Sequence, residues 1–233
     1  MVARQAEVAG TRHPMPFARL EIALMALIDG RLQVLLARRA QAPYASRWAL
    51  PGGVLRIDLD RTLDEGARRV MQERLGLELP FLRQLCAVGG PTRDPRAPWA
   101  LSVVYRALVL SERVQPLAGK RVEGLVWRPV DEAGQDKLLA FDHASLVAQA
   151  AAVTRAEVEQ LDLPVGLLPD EFTLGELQAS CEQALGRRLD KSSFRRRLAD
   201  RGLVEPVEGS MRGGAYRPAQ VYRLSSSSGS QKL

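Results

Sequence analysis

The sequence predicts an α/β chain in two parts: a larger domain of strands and helices, then a small helical unit closed by a β-hairpin. Three observations carry this. Residues 20–28 and 32–36 are strand-like apolar runs separated by Asp29-Gly30, a strong hairpin turn. Residues 48–77 join a Pro51-Gly52-Gly53 turn to one amphipathic helix. Residues 161–170 carry prolines at 164 and 169, a composition shift that marks a domain boundary. The expected division is a loose N-terminus (1–16), a larger domain (17–161), a small domain (162–224) and a serine-rich tail without fixed structure (225–233).

Composition sets the limits. A chain of 233 residues suits one large or two small domains. Its 46% hydrophobic and 26% charged residues are those of an ordinary soluble globular protein. The net charge of +6 invites a polyanionic partner. Cys86 and Cys181 lie far apart without C-x-x-C spacing, which predicts a reduced cytoplasmic compartment. No apolar run reaches the roughly 18 residues of a membrane helix, and no signal-peptide pattern opens the chain, so no membrane partner is expected.

The run at 20–28 turns solidly apolar, as a sheet-core strand does. Arg38-Arg39 closes the partner strand, either as a phosphate contact or as a solvated strand end. The Pro51-Gly52-Gly53 turn suits positive φ and close approach of backbone to a ligand. A helix is predicted from about Thr62, with Leu63, Ala67, Val70, Met71 and Leu75 on its buried face and Gly76 at its end. Strands follow at 84–88 and 100–110, separated by GGPTRDPRAP, a surface loop whose Arg93 and Arg96 meet an anion or pair with Asp94. A further apolar strand covers 122–130, with Trp127 read as core. Asp142 is placed as N-cap of a helix reaching about Leu161. His143 is structural or donates a hydrogen bond to a ligand; nothing near it in sequence suggests a metal site.

Past the boundary, Thr173 and Glu176 have capping-box spacing, and Leu174, Leu177, Cys181 and Leu185 form the stripe of a helix ended by Gly186. Asp190 caps a second helix with Phe194 and Leu198 inward and Gly202 at its end. Two short strands, 203–204 and 221–224, flank the loop VEGSMRGGAYRPAQ. Helix, turn, helix and hairpin together read as a winged helix-turn-helix. From Arg187 to Arg223 ten Lys or Arg stand against four Asp or Glu, a local excess as large as that of the whole chain. A basic run is usually a solvated face; its coincidence with this motif favours double-stranded DNA. The DNA-contact set is Thr173, Arg188, Lys191, Ser192, Ser193, Arg195, Arg196, Arg197, Arg212 and Arg217.

Residues 48–77 resemble the Nudix box, G-x5-E-x7-R-E-U-x-E-E-x-G-U with U aliphatic, when Gly76 is set on the last glycine. Arg69 then matches the arginine, but Val70 and Arg74 stand where metal-binding glutamates belong, and Glu73 alone keeps a carboxylate. The segment after the glycine is two residues longer than the pattern and offers Arg61 or Asp60 near the first glutamate. Magnesium needs several oxygen ligands on one helical face, so no metal, no cofactor and no catalytic residue are expected. The stretches WALPGG, LCAVGGPTRDPR, LAFDH, FTLGELQ, DKSSFRRRL and RPAQVYRL resemble the Nudix-related transcriptional regulators of bacterial NAD metabolism, the NrtR family.

That resemblance implies a Nudix α/β/α sandwich with a mixed sheet, plus the winged helix. It further implies a homodimer that represses NAD biosynthesis or salvage genes and releases DNA on binding ADP-ribose. The expected ligand set is Arg38, Arg39, Gly52, Gly53, Arg56, Glu73, Arg74, Arg93, Phe141 and His143. The competing reading is an active hydrolase of ADP-ribose or a related nucleoside diphosphate, against which Val70 and Arg74 stand. RNA binding has no aromatic stacking platform behind it.

Overall fold

The structure, a computed structural model, describes residues 15–79, 82–163, 165–213 and 218–225. Most of the expected N-terminal segment, Pro164, Arg217 and all but the first residue of the serine-rich tail lie outside them. A seven-stranded mixed sheet forms the larger layer. It is built from β1 (Phe17–Ile28), β2 (Arg31–Arg39), β3 (Trp48–Ala49), β4 (Gly52–Val54), β5 (Arg83–Gly90), β6 (Ala100–Leu108) and β7 (Val122–Pro129). Its main path runs β3-β2-β1-β6-β5, with β4 joined to β1 and β7 to β2; the β1–β6 pair is parallel and the rest are antiparallel.

The unbroken apolar run of β1 is explained by burial on both faces. Leu20, Ile22, Leu24 and Ala26 pack towards α1 (Leu63–Leu75). Ala23 and Met25 pack towards α2 (Val130–Ala133) and α3 (His143–Glu159). The result is an α/β/α sandwich. Thr62 caps α1 through its hydroxyl, which accepts the Glu65 N–H, and Gly76 ends it at φ 64°. The buried face of α1 differs from expectation at one point: Leu63 is exposed, and Gly66 takes the buried place beside Leu20 because no side chain fits there.

The small domain contains β8 (Phe172–Thr173), α4 (Leu174–Leu185), α5 (Lys191–Asp200), β9 (Val204–Arg212) and β10 (Ala219–Leu224), with sheet order β8-β10-β9. Thr173 and Glu176 form the full capping box, and Asp190 accepts the Ser193 N–H at the start of α5. Leu177, Cys181 and Ala184 are the buried residues of α4, while Leu174 and Leu185 are only half-buried. The strand expected at 203–204 runs on to Arg212, so the wing is a hairpin rather than a long loop. Its core of Phe172, Leu177, Phe194 and Leu198 is continuous with Val158 and Leu161 at the end of α3. Among the described residues no helix is long and apolar enough to cross a membrane.

Candidate functional site

The glycine turn does not use positive φ. Gly52 and Gly53 instead form β4 against β1, and a side chain is excluded by distance. A Cβ on Gly52 would sit 1.8 Å from Glu21 Oε2, and one on Gly53 would sit 2.7 Å from Val70 Cγ2. Close approach is therefore the reason for both glycines. Beside them lies a cleft whose wall holds Arg19, Arg38, Arg39, Arg74, Arg96 and Arg121.

Most of these guanidinium groups are held by different parts of the fold. Arg74 donates to the Gly52 carbonyl at 3.0 Å and the Lys120 carbonyl at 2.5 Å. Arg39 donates to the carbonyls of Pro43 and Gln41 and lies over the Phe141 ring, 5.0 Å from its centroid. Arg38 reaches the Ser46 carbonyl, and Arg96 pairs with the buried Asp94 carboxylate. Burial, then the charges of Arg19 and Arg96, push the Arg39 pKa down to about 10. Burial, then the Arg121 charge, lowers that of Arg74. These cations penalise one another, and an anion in the cleft relieves the penalty.

Under the turn, Arg19 pairs with Glu21 at 2.7 Å. The other Glu21 oxygen and His143 Nε2 face each other at 3.8 Å, both buried and without a hydrogen-bond partner. His143 Nδ1 accepts the Leu50 N–H at 2.9 Å. Burial holds the His143 pKa at about 4, so the ring is neutral and its hydrogen sits on Nε2. Of the two roles expected for His143, the structure supports the structural one: its side chain is only 1% exposed, beneath the cleft floor.

The remaining expected ligand residues divide. Gly52, Gly53, Arg38, Arg39 and Arg74 line the cleft. Phe141 and Arg93 line a neighbouring hollow with Tyr44 and Asp142, and Tyr44 meets Phe141 edge-on at 4.7 Å. Arg93 is turned inward to Ser102 and Asp142. Asp142 is the N-cap residue of α3, as expected, but its side chain makes no capping hydrogen bond; its carboxylate is engaged by Arg93. Arg56 lies outside the cleft, folded onto the exposed Asp58. Glu73 is also outside it, 3.3 Å from Arg69, which bonds Asp60 and the Val54 carbonyl and staples the loop to α1. Arg19, Glu21, Arg121 and Tyr44 escaped the sequence reading, since nothing in local spacing sets them beside the glycine turn.

A divalent cation needs several carboxylate oxygens. Here Val70 is buried hydrocarbon, Arg74 is a cation in the cleft wall and Glu73 is paired with Arg69. Among the described residues no three Asp, Glu, His or Cys side chains converge. The donor set does not fit a magnesium ion.

The second basic region is the outer face of α5. Lys191, Ser192, Arg195 and Arg196 are exposed there, and the three cations have no ion-pair partner among the described residues. Ser193, half-buried in the first turn, gives its N–H to the Asp190 cap. Other expected DNA contacts are engaged elsewhere. The Thr173 hydroxyl is spent on the capping box, and Arg212 bonds both Glu176 oxygens at 2.7 Å, bracing the wing. Arg197 donates to the Glu159 carbonyl at the end of α3. Arg188 pairs with Glu182 but is 94% exposed, so the pair is weak and the side chain can leave it.

The sequence pattern of the NUDIX domain matches residues 18–150, and that of the NrtR DNA-binding winged helix domain matches residues 164–224. The chain is 37% identical over 212 residues to the ADPR responsive transcriptional repressor NtrR of Acinetobacter baylyi, covering 91% of this chain and 83% of that protein. It superposes on the crystal structure of Shewanella oneidensis NrtR complexed with a 27mer DNA with a TM-score of 0.77. The identity is 32%, over 91% of this chain and 94% of that one. The NUDIX domain of the same Shewanella protein, complexed with ADP ribose, matches 60% of this chain and 90% of its own. There the identity is 30% and the TM-score 0.55.

Proposed function

This chain belongs to the NrtR family of Nudix-related transcriptional regulators, and on that premise we propose that it is a DNA-binding repressor of NAD biosynthesis or salvage genes. It senses ADP-ribose or a related NAD metabolite through the Nudix domain, acts in the cytoplasm and pairs as a homodimer. The domain from 17 to 161 carries the ligand and that from 162 to 224 the DNA. A single winged helix reads one half-site, so two-fold pairing supplies specificity.

One observation carries the effector reading: six arginines crowd the cleft beside the glycine turn, and while Arg19, Arg38 and Arg96 pair with Glu21, Glu123 and Asp94, Arg39, Arg74 and Arg121 have no carboxylate partner among the described residues. A pyrophosphate supplies the anion that those three guanidinium groups lack, and the Phe141 ring, met edge-on by Tyr44, lies next to it. The same observation argues against hydrolysis. Arg74 replaces, by its own charge, part of what a magnesium ion does for a pyrophosphate, so binding proceeds without metal and without an activated water.

The test is operator binding with and without ADP-ribose in EDTA. A drop of about 5- to 150-fold in affinity, the span of a 1–3 kcal/mol coupling, is expected. Release of AMP with Mg²⁺ at about 1 per second or faster would place the chain among the hydrolases instead.

A further inference from the structure

Three arginines of the small domain converge on the last turn of α3. Arg197 donates to the Glu159 carbonyl at 2.9 Å, and Arg201, just past the end of α5, donates to the Gln160 carbonyl. Arg187 pairs with the Glu159 carboxylate at 2.8 Å. The final carbonyls of a helix lack intrahelical partners and carry the negative end of its dipole, so cations are favoured there twice over. The opposite end of α3 is tied to the arginine cleft. Leu50 N–H bonds His143, and Arg93 holds Asp142. One helix of 17 residues, about 25 Å long at 1.5 Å per residue, therefore spans from the cleft to the outward-facing α5.

We propose that Arg197 and Arg201 are positioning residues that fix α5 to the C-terminal end of α3, rather than contacts to DNA. Helical geometry separates them from the DNA face. At about 100° per residue, Arg197 points about 160° away from Arg195, on the side of α5 that meets α3. The two bonds set the angle at which α5 is presented, and a displacement of α3 at its cleft end reaches α5 through them. The transmission half rests on the reading of the cleft as an effector site; the anchoring half does not.

The experiment titrates the full-length protein onto an operator duplex recovered by selection from random DNA, over a salt series, with and without ADP-ribose. Arg197→Gln, Arg201→Gln and Arg196→Gln are compared. Arg196→Gln loses about 0.9 from the log–log salt slope, one phosphate contact, and keeps the full response to ADP-ribose. Arg197→Gln and Arg201→Gln keep the wild-type slope and lose about 2- to 10-fold in affinity, the worth of one hydrogen bond. Their response to ADP-ribose shrinks well below that of the wild type, and Arg197→Lys, which retains a donor, restores part of it. A slope reduced by about 0.9 in Arg197→Gln makes it a phosphate contact and overturns the proposal. Wild-type slope, affinity and response in both anchor variants overturn it too. If ADP-ribose leaves the wild type unaffected, the effector reading and the transmission half fall together, and the slopes still decide the anchor.

Discussion

Arg74 Nε lies 3.0 Å from the carbonyl oxygen of Gly52, so a guanidinium bridges the box helix and the glycine turn. It occupies the wall of the cleft, where burial and then the Arg121 charge beside it already lower its pKa. Truncating it removes one charged donor from the anion site and frees the turn from α1. Arg74→Ala should weaken ADP-ribose binding by about 10- to 150-fold, the equivalent of 1.5–3 kcal/mol for a hydrogen bond to a charged group. Calorimetry in EDTA measures it. Undiminished affinity would remove Arg74 from the site, and strict dependence on Mg²⁺ in the wild type would remove the metal-free reading.

Acid should destabilise the fold through His143. The unfolded chain takes up a proton near pH 6.5, whereas the folded ring, deprotonated by burial, takes one up only near pH 4. Its folded pKa is depressed, so its contribution is fully present above pH 6.5 and is lost as pH falls from 6.5 towards 4. Between pH 7 and pH 5 the loss is about 2 kcal/mol. Urea unfolding at the two pH values should show that difference in the wild type and only a small one in His143→Gln. Equal pH dependence in both proteins would show that the charge is taken up elsewhere.

The DNA face should be separable from its supports. Lys191→Ala and Arg195→Ala each remove an exposed cation with no ion-pair partner among the described residues, and each should flatten the log–log salt slope by about 0.9. Thr173→Ala removes only the capping box of α4. It should cost about 1 kcal/mol of stability while leaving that slope alone. A salt series combined with thermal unfolding distinguishes the two classes. A reduced slope in Thr173→Ala would return its hydroxyl to the DNA.

Local chemistry was legible in the sequence where it acts over a few residues. The start of the box helix near Thr62, the caps at Thr173 and Asp190, the glycines that end helices at 76 and 186 and the solidly apolar run of β1 follow from spacing alone. What spacing could not supply is partnership across the fold. Asp142 has the position of a helix cap, yet Arg93, 49 residues earlier in the chain, claims its carboxylate. Arg197 sits in a basic run with Arg195 and Arg196, yet the helical turn that aims those two outward aims it at Glu159. Arg19 is reached only because β1 lies beside the glycine turn, a neighbourhood set by sheet register.

Gly52 is where the cleft should be most sensitive to a small change. A methyl group there would fall 1.8 Å from Glu21 Oε2 and 2.8 Å from the Leu20 carbonyl. Backbone cannot yield easily in the middle of a seven-stranded sheet, and Glu21 is fixed by Arg19 and enclosed beside His143. The turn itself must therefore lift, moving the Gly52 carbonyl away from Arg74. The α5 face and its anchors on the last turn of α3 lie at the other end of that helix, and Arg93 still holds Asp142. Gly52→Ala should thus reduce ADP-ribose affinity by roughly tenfold or more, a cost of 1.4 kcal/mol or above. Operator affinity without ligand should stay within about twofold, less than 0.5 kcal/mol. The variant should hold its operator at ADP-ribose concentrations that release the wild type. Calorimetry and a mobility-shift titration read the two affinities. Wild-type ADP-ribose binding in Gly52→Ala would mean that the ligand does not lie against the glycine turn.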